Sequence, residues 1–170
     1  MPTKGFDLFL KSLCHLPNKD YQVVSYGAWD NPNYKEKCKS IIEDNQLPVE
    51  VNGPIAGDEK LKCFANADAF VFIPQHPEGH PWVIVEAMAA GLPIVSTDEG
   101  AIVESVIHEE NGFIVPHGDD GATSEVINKL ISDPILRGTM GKSSRLKYET
   151  LFTEEKMVEN LKKTFNSVIG

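Results

Sequence analysis

Apolar positions recur along this chain with two periods, and the two alternate. Phe6, Phe9, Leu10 and Leu13 repeat at helical spacing and stop before Pro17. Tyr21-Gln22-Val23-Val24-Ser25-Tyr26 then forms a strand pattern closed by Gly27. A Lys/Glu-rich stretch predicts a surface helix over 34–44, and Val49-Glu50-Val51-Asn52 alternates as a strand that ends at Gly53-Pro54. A helix is predicted over 58–66, with Leu61, Phe64 and Ala65 inward. Ala69-Phe70-Val71-Phe72-Ile73 is uninterruptedly apolar, the pattern of a strand buried on both faces. The pattern predicts a helix over 81–90 with Pro81 in its first turn, then strands over 93–96 and 112–115. Helices follow over 121–132, 135–148 and 153–168, the last capped by Thr153. Met157, Leu161, Phe165 and Val168 share one face of that last helix, which therefore needs an apolar surface to dock on.

Strand and helix alternating every 25 residues or so predict an α/β fold: a Rossmann-like parallel sheet with helices on both faces. No internal repeat, low-complexity segment or linker interrupts it. Such sheets bind ligands at the carboxyl ends of their strands. The loop Pro74-Gln75-His76-Pro77-Glu78-Gly79-His80-Pro81-Trp82 follows the most apolar strand. The free N–H groups of the helix beginning there make an anion site, Pro81 excepted because it has no donor.

Composition adds an asymmetry. The 170 residues carry a net charge of −9. Residues 1–62 hold eight lysines and nine acids, residues 63–128 eleven acids and no lysine or arginine, and residues 129–170 eight basic residues and five acids. A basic face for nucleic acid and a polybasic patch for anionic membrane are both excluded. Three cysteines, Cys14, Cys38 and Cys63, form no C-x-x-C pair, as in a reducing compartment. Met1-Pro2-Thr3-Lys4-Gly5 leads into no apolar leader, and the longest apolar stretch, 82–94, is broken by Glu86, Gly91 and Pro93. The expected location is cytoplasmic, extending to the cytoplasmic face of a membrane in a longer parent protein.

Candidate chemistry is concentrated near the central loop. Glu86 interrupts an apolar helix and needs partners there, either the helix dipole or a ligand. Lys4 at a helix start is a cation for a phosphate or a solvated lysine. Glu78 is a loop-surface acid or a ligand contact. His76, Glu78 and His80 do not form a metal site, because Pro77 and Gly79 exclude the helical geometry of an HExxH motif. Cys14-His15 reads as helix packing. Neither a G-x-G-x-x-G nor a P-loop motif occurs.

The segment Glu78-Gly79-His80-Pro81-Trp82-Val83-Ile84-Val85-Glu86-Ala87-Met88-Ala89-Ala90-Gly91-Leu92-Pro93-Ile94-Val95 resembles the signature of retaining glycosyltransferases of the GT-B fold, family four. Lys4-Gly5-Phe6-Asp7, Ala67-Asp68-Ala69-Phe70-Val71, Thr97-Asp98-Glu99-Gly100-Ala101 with Glu104, Asn111-Gly112-Phe113-Ile114-Val115, and Arg137 with Met140-Gly141 and Arg145 resemble further blocks of that family in the same order. The likeness covers essentially the whole chain. It departs at His80-Pro81, where Phe-Gly is common, at Gln75, often Ser, and at Ala101, the second Gly of a Gly-Gly pair, which calls a close backbone approach there into question.

The resemblance implies the donor-binding, C-terminal half of such an enzyme, moving a hexose from a UDP- or GDP-linked sugar to a glycan or lipid-linked acceptor. Glu78 would orient and stabilise the sugar as the catalytic residue. Lys4, Gly79, His80, Pro81, Trp82 and Glu86 would bind the donor, with Glu86 accepting from the ribose. Gly53, Pro54 and Ile55 would lie near the base. No metal or other cofactor is implied. Residues 1–152 would be the donor domain, without the first strand of the family's sheet order 3-2-1-4-5-6, and 153–170 a helix that packs on an N-terminal domain. The unfilled strand position permits dimerisation, and this chain on its own is expected not to transfer sugar. Two alternatives stand beside this one: a non-catalytic docking module, and a GT-B relative such as a nucleotide-sugar epimerase.

Overall fold

The computed structural model describes residues 2–169; the side chains of Pro2, Val168 and Ile169 lie outside the description, and with them the expected contribution of Val168 to the last helix face. A 3-10 turn, Pro2–Lys4, leads into α1 (Phe6–Cys14). There follow β1 (Val23–Tyr26), α2 (Pro32–Asp44), β2 (Val49–Asn52), α3 (Gly57–Ala65) and β3 (Phe70–Phe72). The second half holds α4 (Trp82–Ala89), β4 (Ile94–Thr97), α5 (Ile102–Ser105), β5 (Gly112–Val115), α6 (Asp120–Ser132), α7 (Pro134–Leu151) and α8 (Glu154–Ile169). The helix starts follow local chemistry: Asn31, Asp119 and Asp133 each accept a hydrogen bond from a first-turn N–H, and proline occupies the first turn of α2 and α7. Thr153 Oγ1 accepts from the Lys156 N–H, the cap expected for the last helix.

All strand pairs are parallel. β1 pairs with β2, and β3, β4 and β5 form a second sheet with β4 in the middle. These are the neighbours expected on either side of strand 1 in the order 3-2-1-4-5-6. Among the described residues no strand stands between β1 and β3.

Helices cover both faces of the three-stranded sheet, as expected. Val95, Phe113 and Val115 pack with Val126, Leu130 and Met140 on one side. Ile94 packs with Ile84, Val85, Ala87, Met88, Ile102 and Val106 on the other. α1 and α2 close a third cluster around Leu10, Leu13, Tyr34 and Cys38.

Two expectations need correction. The apolar run 69–73 does pack on both faces, with Ala69, Val71 and Ile73 against one cluster and Phe70 and Phe72 against the other, but its strand β3 is only three residues long and half-buried, and among the described residues only β4 pairs with it. In α3, Leu61 is 65% exposed and Ala65 is also exposed. The inward face is set instead by Lys60 and Phe64, four residues apart; Lys60 meets Glu86 of α4 and the Phe64 ring lies 5.6 Å from that of Phe70. Leu61 is rotated about 100° away from Lys60 on the helix.

Candidate functional site

The carboxyl end of β3 organises the candidate site. Gly5 has φ 72°, and a Cβ there would lie 2.0 Å from the Ile73 carbonyl oxygen, so only glycine lets the start of α1 approach the strand end this closely. The Gln75 N–H donates to the Thr3 carbonyl at 2.8 Å, and its side-chain amide donates to the Ile73 and Pro74 carbonyls. Thr97 Oγ1 donates to the Pro74 carbonyl at 2.9 Å from the neighbouring strand. The loop therefore leaves β3 pinned on two sides.

That pinning brings Lys4 to Glu78. Lys4 Nζ lies 2.5 Å from Glu78 Oε1 and 5.5 Å from the centroid of the Phe72 ring. The Glu78 side chain is 18% exposed. Its backbone is braced from behind: a Cβ on Gly100, which has φ 58°, would fall 1.6 Å from the Glu78 carbonyl oxygen, and the Ala101 N–H donates to the Gly79 carbonyl at 3.1 Å. The close approach questioned at Ala101 is thus made by Gly100 instead, and Ala101 serves through its N–H.

Pro81 is the N-cap of α4 rather than its first helical residue, and no side chain caps the N–H groups that follow. Trp82 is 73% exposed. The His80 side chain turns toward α5 and the end of α7: Nε2 lies 2.5 Å from Ser105 Oγ, and the ring stacks on Phe152 at 5.3 Å. At the other end of α4, Arg145 of α7 donates to the Ala89 carbonyl, a cation at the negative end of the helix dipole.

One turn into α4, Glu86 finds the partner its setting demands. Its Oε1 accepts from Lys60 Nζ at 2.7 Å. Oε2 lies 2.6 Å from the same nitrogen but receives no well-directed hydrogen bond, and that atom is buried. The next turn of α3, Lys62 and Cys63, faces a different feature. With Tyr26, Asn52, Gly53, Pro54 and Ile55 it lines an open cavity of about 430 Å³ at the carboxyl ends of β1 and β2. The structure thus unites Lys4 with Glu78 and sets Glu86 one turn into the helix that follows. Gly53, Pro54 and Ile55 fall in the separate cavity, with α3 as the element common to both.

Sequence reasoning missed Lys60 and the contacts made by Gln75, Gly100 and His80. Lys60 stands in an ordinary charged helix, and only the packing of α3 beside α4 reveals its partner. Four acids of the cation-free middle segment are answered from outside it: Lys4, Lys60, His15 and Arg137 face Glu78, Glu86, Asp120 and Asp68 respectively. Among the described residues no group of three or more His, Cys, Asp or Glu is placed to hold a metal ion, and no helix is long and apolar enough to cross a membrane.

Comparison with known proteins gives this arrangement a context. Over nearly its whole length the chain is similar to the capsular polysaccharide biosynthesis glycosyltransferase CapM of Staphylococcus aureus: 35% identity over 98% of the chain and 43% of CapM. It is 27% identical to a GDP-mannose-dependent monoacylated alpha-(1-6)-phosphatidylinositol monomannoside mannosyltransferase of Corynebacterium glutamicum, over 95% of the chain and 43% of that protein. The crystal structure of Anabaena Alr3699/HepE in complex with UDP and glucose superposes with a TM-score of 0.88 at 24% identity, over 98% of this chain and 46% of that one. The chain spans less than half the length of each of these relatives, and its fold is that of one half of a GT-B enzyme. The family model for glycosyl transferases group 1 matches residues 1–147, and the chain belongs to that family.

Proposed function

We propose that the chain is the donor-binding half of a retaining glycosyltransferase that moves a hexose from a nucleoside-diphosphate sugar to a glycan or lipid-linked acceptor. The observation that carries this reading is the placement of Glu78 and Glu86. They stand four residues before and four after Trp82, the first residue of α4, and each is clasped by a lysine from the first 62 residues.

In this reading the N–H groups of Gly79, His80 and Trp82 and the Lys4 ammonium face the diphosphate. Pro81 fixes the entry to the helix without a donor. Glu86 accepts from the ribose hydroxyls, and the base enters the cavity of Gly53, Pro54 and Ile55. Glu78 orients the hexose and stabilises charge at its anomeric carbon. The acceptor oxygen bonds to that carbon on the face from which the phosphate oxygen leaves, and the acceptor's proton passes to that phosphate oxygen. Lys4 and the helix dipole answer the phosphate charge, with no resident metal. A relative that depends on GDP-mannose and a fold neighbour in complex with UDP support a UDP- or GDP-linked donor. Residues 1–152 form the donor domain, and α8 packs on the N-terminal half of a longer cytoplasmic protein.

Calorimetric titration of this chain with UDP, GDP and ADP tests the reading. Binding at millimolar or tighter concentration with one of them, abolished by Glu86→Ala, supports it; silence with all three overturns it. A docking module without donor binding is the second reading. It is favoured by the exposed apolar face of α8, where Met157, Leu161 and Phe165 are 48%, 49% and 61% exposed, and it predicts that silence. The unfilled strand position also permits a pairing of two copies between β1 and β3, and sedimentation would reveal it.

A further inference from the structure

The first turn of α4 presents a difficulty that Lys60 resolves. An anion held by the N–H groups at Trp82 sits one helical turn, about 6 Å along the axis, from the residue that carries the Glu86 carboxylate. That distance is shorter than the screening length of physiological salt, so the two negative charges repel across a half-buried surface. The segment 63–128, which supplies both the loop and the helix, contains no lysine or arginine to cancel the repulsion. The cation comes from α3. Lys60 Nζ lies within 2.7 Å of both Glu86 oxygens, and its side chain is only 32% exposed.

We infer that Lys60 is a positioning residue of the donor site: by neutralising Glu86 and holding its carboxylate, it lets a ribose-binding acid stand beside a diphosphate. The inference rests on the donor-binding reading above. The contact holds the carboxylate against α3 with Oε2 buried, so that the Oε1 lone pair Lys60 does not use remains for the ribose hydroxyls. The same helix lines the cavity proposed for the base with Lys62 and Cys63. α3 therefore joins base, ribose and phosphate recognition in one rigid element, although it contributes no residue to the family-like loop.

The role separates from that of a plain strut between α3 and α4 by its dependence on ligand charge. Whichever of UDP, GDP or ADP binds the 170-residue chain is titrated in parallel with its nucleoside, for the wild type, Lys60→Met, Lys60→Gln and Lys60→Arg. Lys60→Met and Lys60→Gln are expected to weaken the diphosphate roughly tenfold and the nucleoside no more than about twofold. The excess loss should shrink as salt rises from about 20 mM to about 500 mM, where the screening length falls below the separation. Lys60→Arg should restore the wild-type ratio. Thermal unfolding of each variant identifies any that fails to fold, and the glutamine variant serves where the methionine variant does. An equal loss for nucleoside and diphosphate, or a loss indifferent to salt, makes Lys60 a strut and overturns the inference while leaving donor binding intact. Unchanged affinity in both charge-removing variants also overturns it. Silence of the wild type with all three nucleotides overturns the donor-binding reading and the inference together.

Discussion

Lys4 Nζ lies 2.5 Å from Glu78 Oε1 across 74 residues of sequence, and the contact exists because Gly5 abuts the Ile73 carbonyl. The lysine stands at the start of α1 and the glutamate in the loop after β3, so the pair ties the first residues of the chain to the centre of the candidate site. The Glu78 side chain is less exposed than that of Lys4, 18% against 41%, which leaves the ammonium accessible to a second anion.

The proposed roles of these two residues separate by experiment. Lys4→Met is expected to reduce nucleoside-diphosphate affinity roughly five- to tenfold, through loss of one cation near the phosphates. Glu78→Gln in a full-length parent enzyme is expected to lower the transfer rate by about 10²-fold or more with little change in nucleotide affinity, the signature of stabilisation at the reacting sugar. Steady-state transfer assays and calorimetry read the two effects. A Glu78→Gln enzyme with unchanged turnover would remove the catalytic assignment.

Gly100 is a steric support for the same loop. Its φ of 58° and the 1.6 Å that would separate a Cβ from the Glu78 carbonyl oxygen leave no space for a side chain. Gly100→Ala is expected to destabilise the chain by about 1–3 kcal/mol and to displace the Glu78-Gly79 backbone. Urea denaturation measures the first effect. Loss of nucleotide binding well below the unfolding midpoint measures the second. A variant with wild-type stability would show that the loop yields without cost.

Acid should loosen the α1–α2 contact through Asp7. Burial pushes the Asp7 carboxyl up, but hydrogen bonds from Lys37 and Tyr34 more than offset this and hold it below its ordinary value of 3.8. A carboxylate with a lowered folded pKa contributes stability that is fully present above 3.8 and is lost as pH falls through the folded value. Asp7→Asn is therefore expected to lower the urea midpoint at neutral pH and to narrow the gap to wild type as pH falls below 3.8. A gap that stays constant with pH would mean that the ion pair with Lys37 makes no net contribution. Burial raises the Tyr34 hydroxyl far above its ordinary range, so it stays a neutral donor to Asp7 throughout.

What the sequence could convey follows from the range of the forces involved. Strand and helix periods, the Thr153 cap and the helix after Pro81 are local, and they stand in the structure within a few residues of their expected places. The Glu78…Glu86 spacing is local too, and it marks the segment of the candidate site. The partners are not local. Lys60 reaches Glu86 across 26 residues and His80 reaches Ser105 across 25, through packing that no nearby residue encodes. The same limit explains Leu61: periodicity identified apolar positions in α3, but the inward direction was set by Lys60 and Phe64 finding Glu86 and Phe70. The unbroken run of β3 conveyed that helices cover both its faces, but not its half-burial, because an apolar strand reads alike at the edge and in the middle of a sheet.

α8 carries the last test. Leu161 and Phe165 are four residues apart and share a face, with 49% and 61% of their surface exposed. An apolar stripe of this kind on a helix that touches the remainder mainly through α7 adds little to the stability of the chain itself. Leu161→Lys is therefore expected to change the unfolding free energy of the 170-residue chain by less than about 0.5 kcal/mol. In a longer parent protein, where the proposal places this stripe against an N-terminal half, the same substitution buries a charge or breaks the contact. A loss of about 1–3 kcal/mol is then expected, together with reduced transfer at unchanged nucleotide affinity. Parallel denaturation of the chain and of the parent compares the two. A substantial loss in the short chain would show that α8 belongs to its core, and equal small effects in both would show that the stripe docks nowhere.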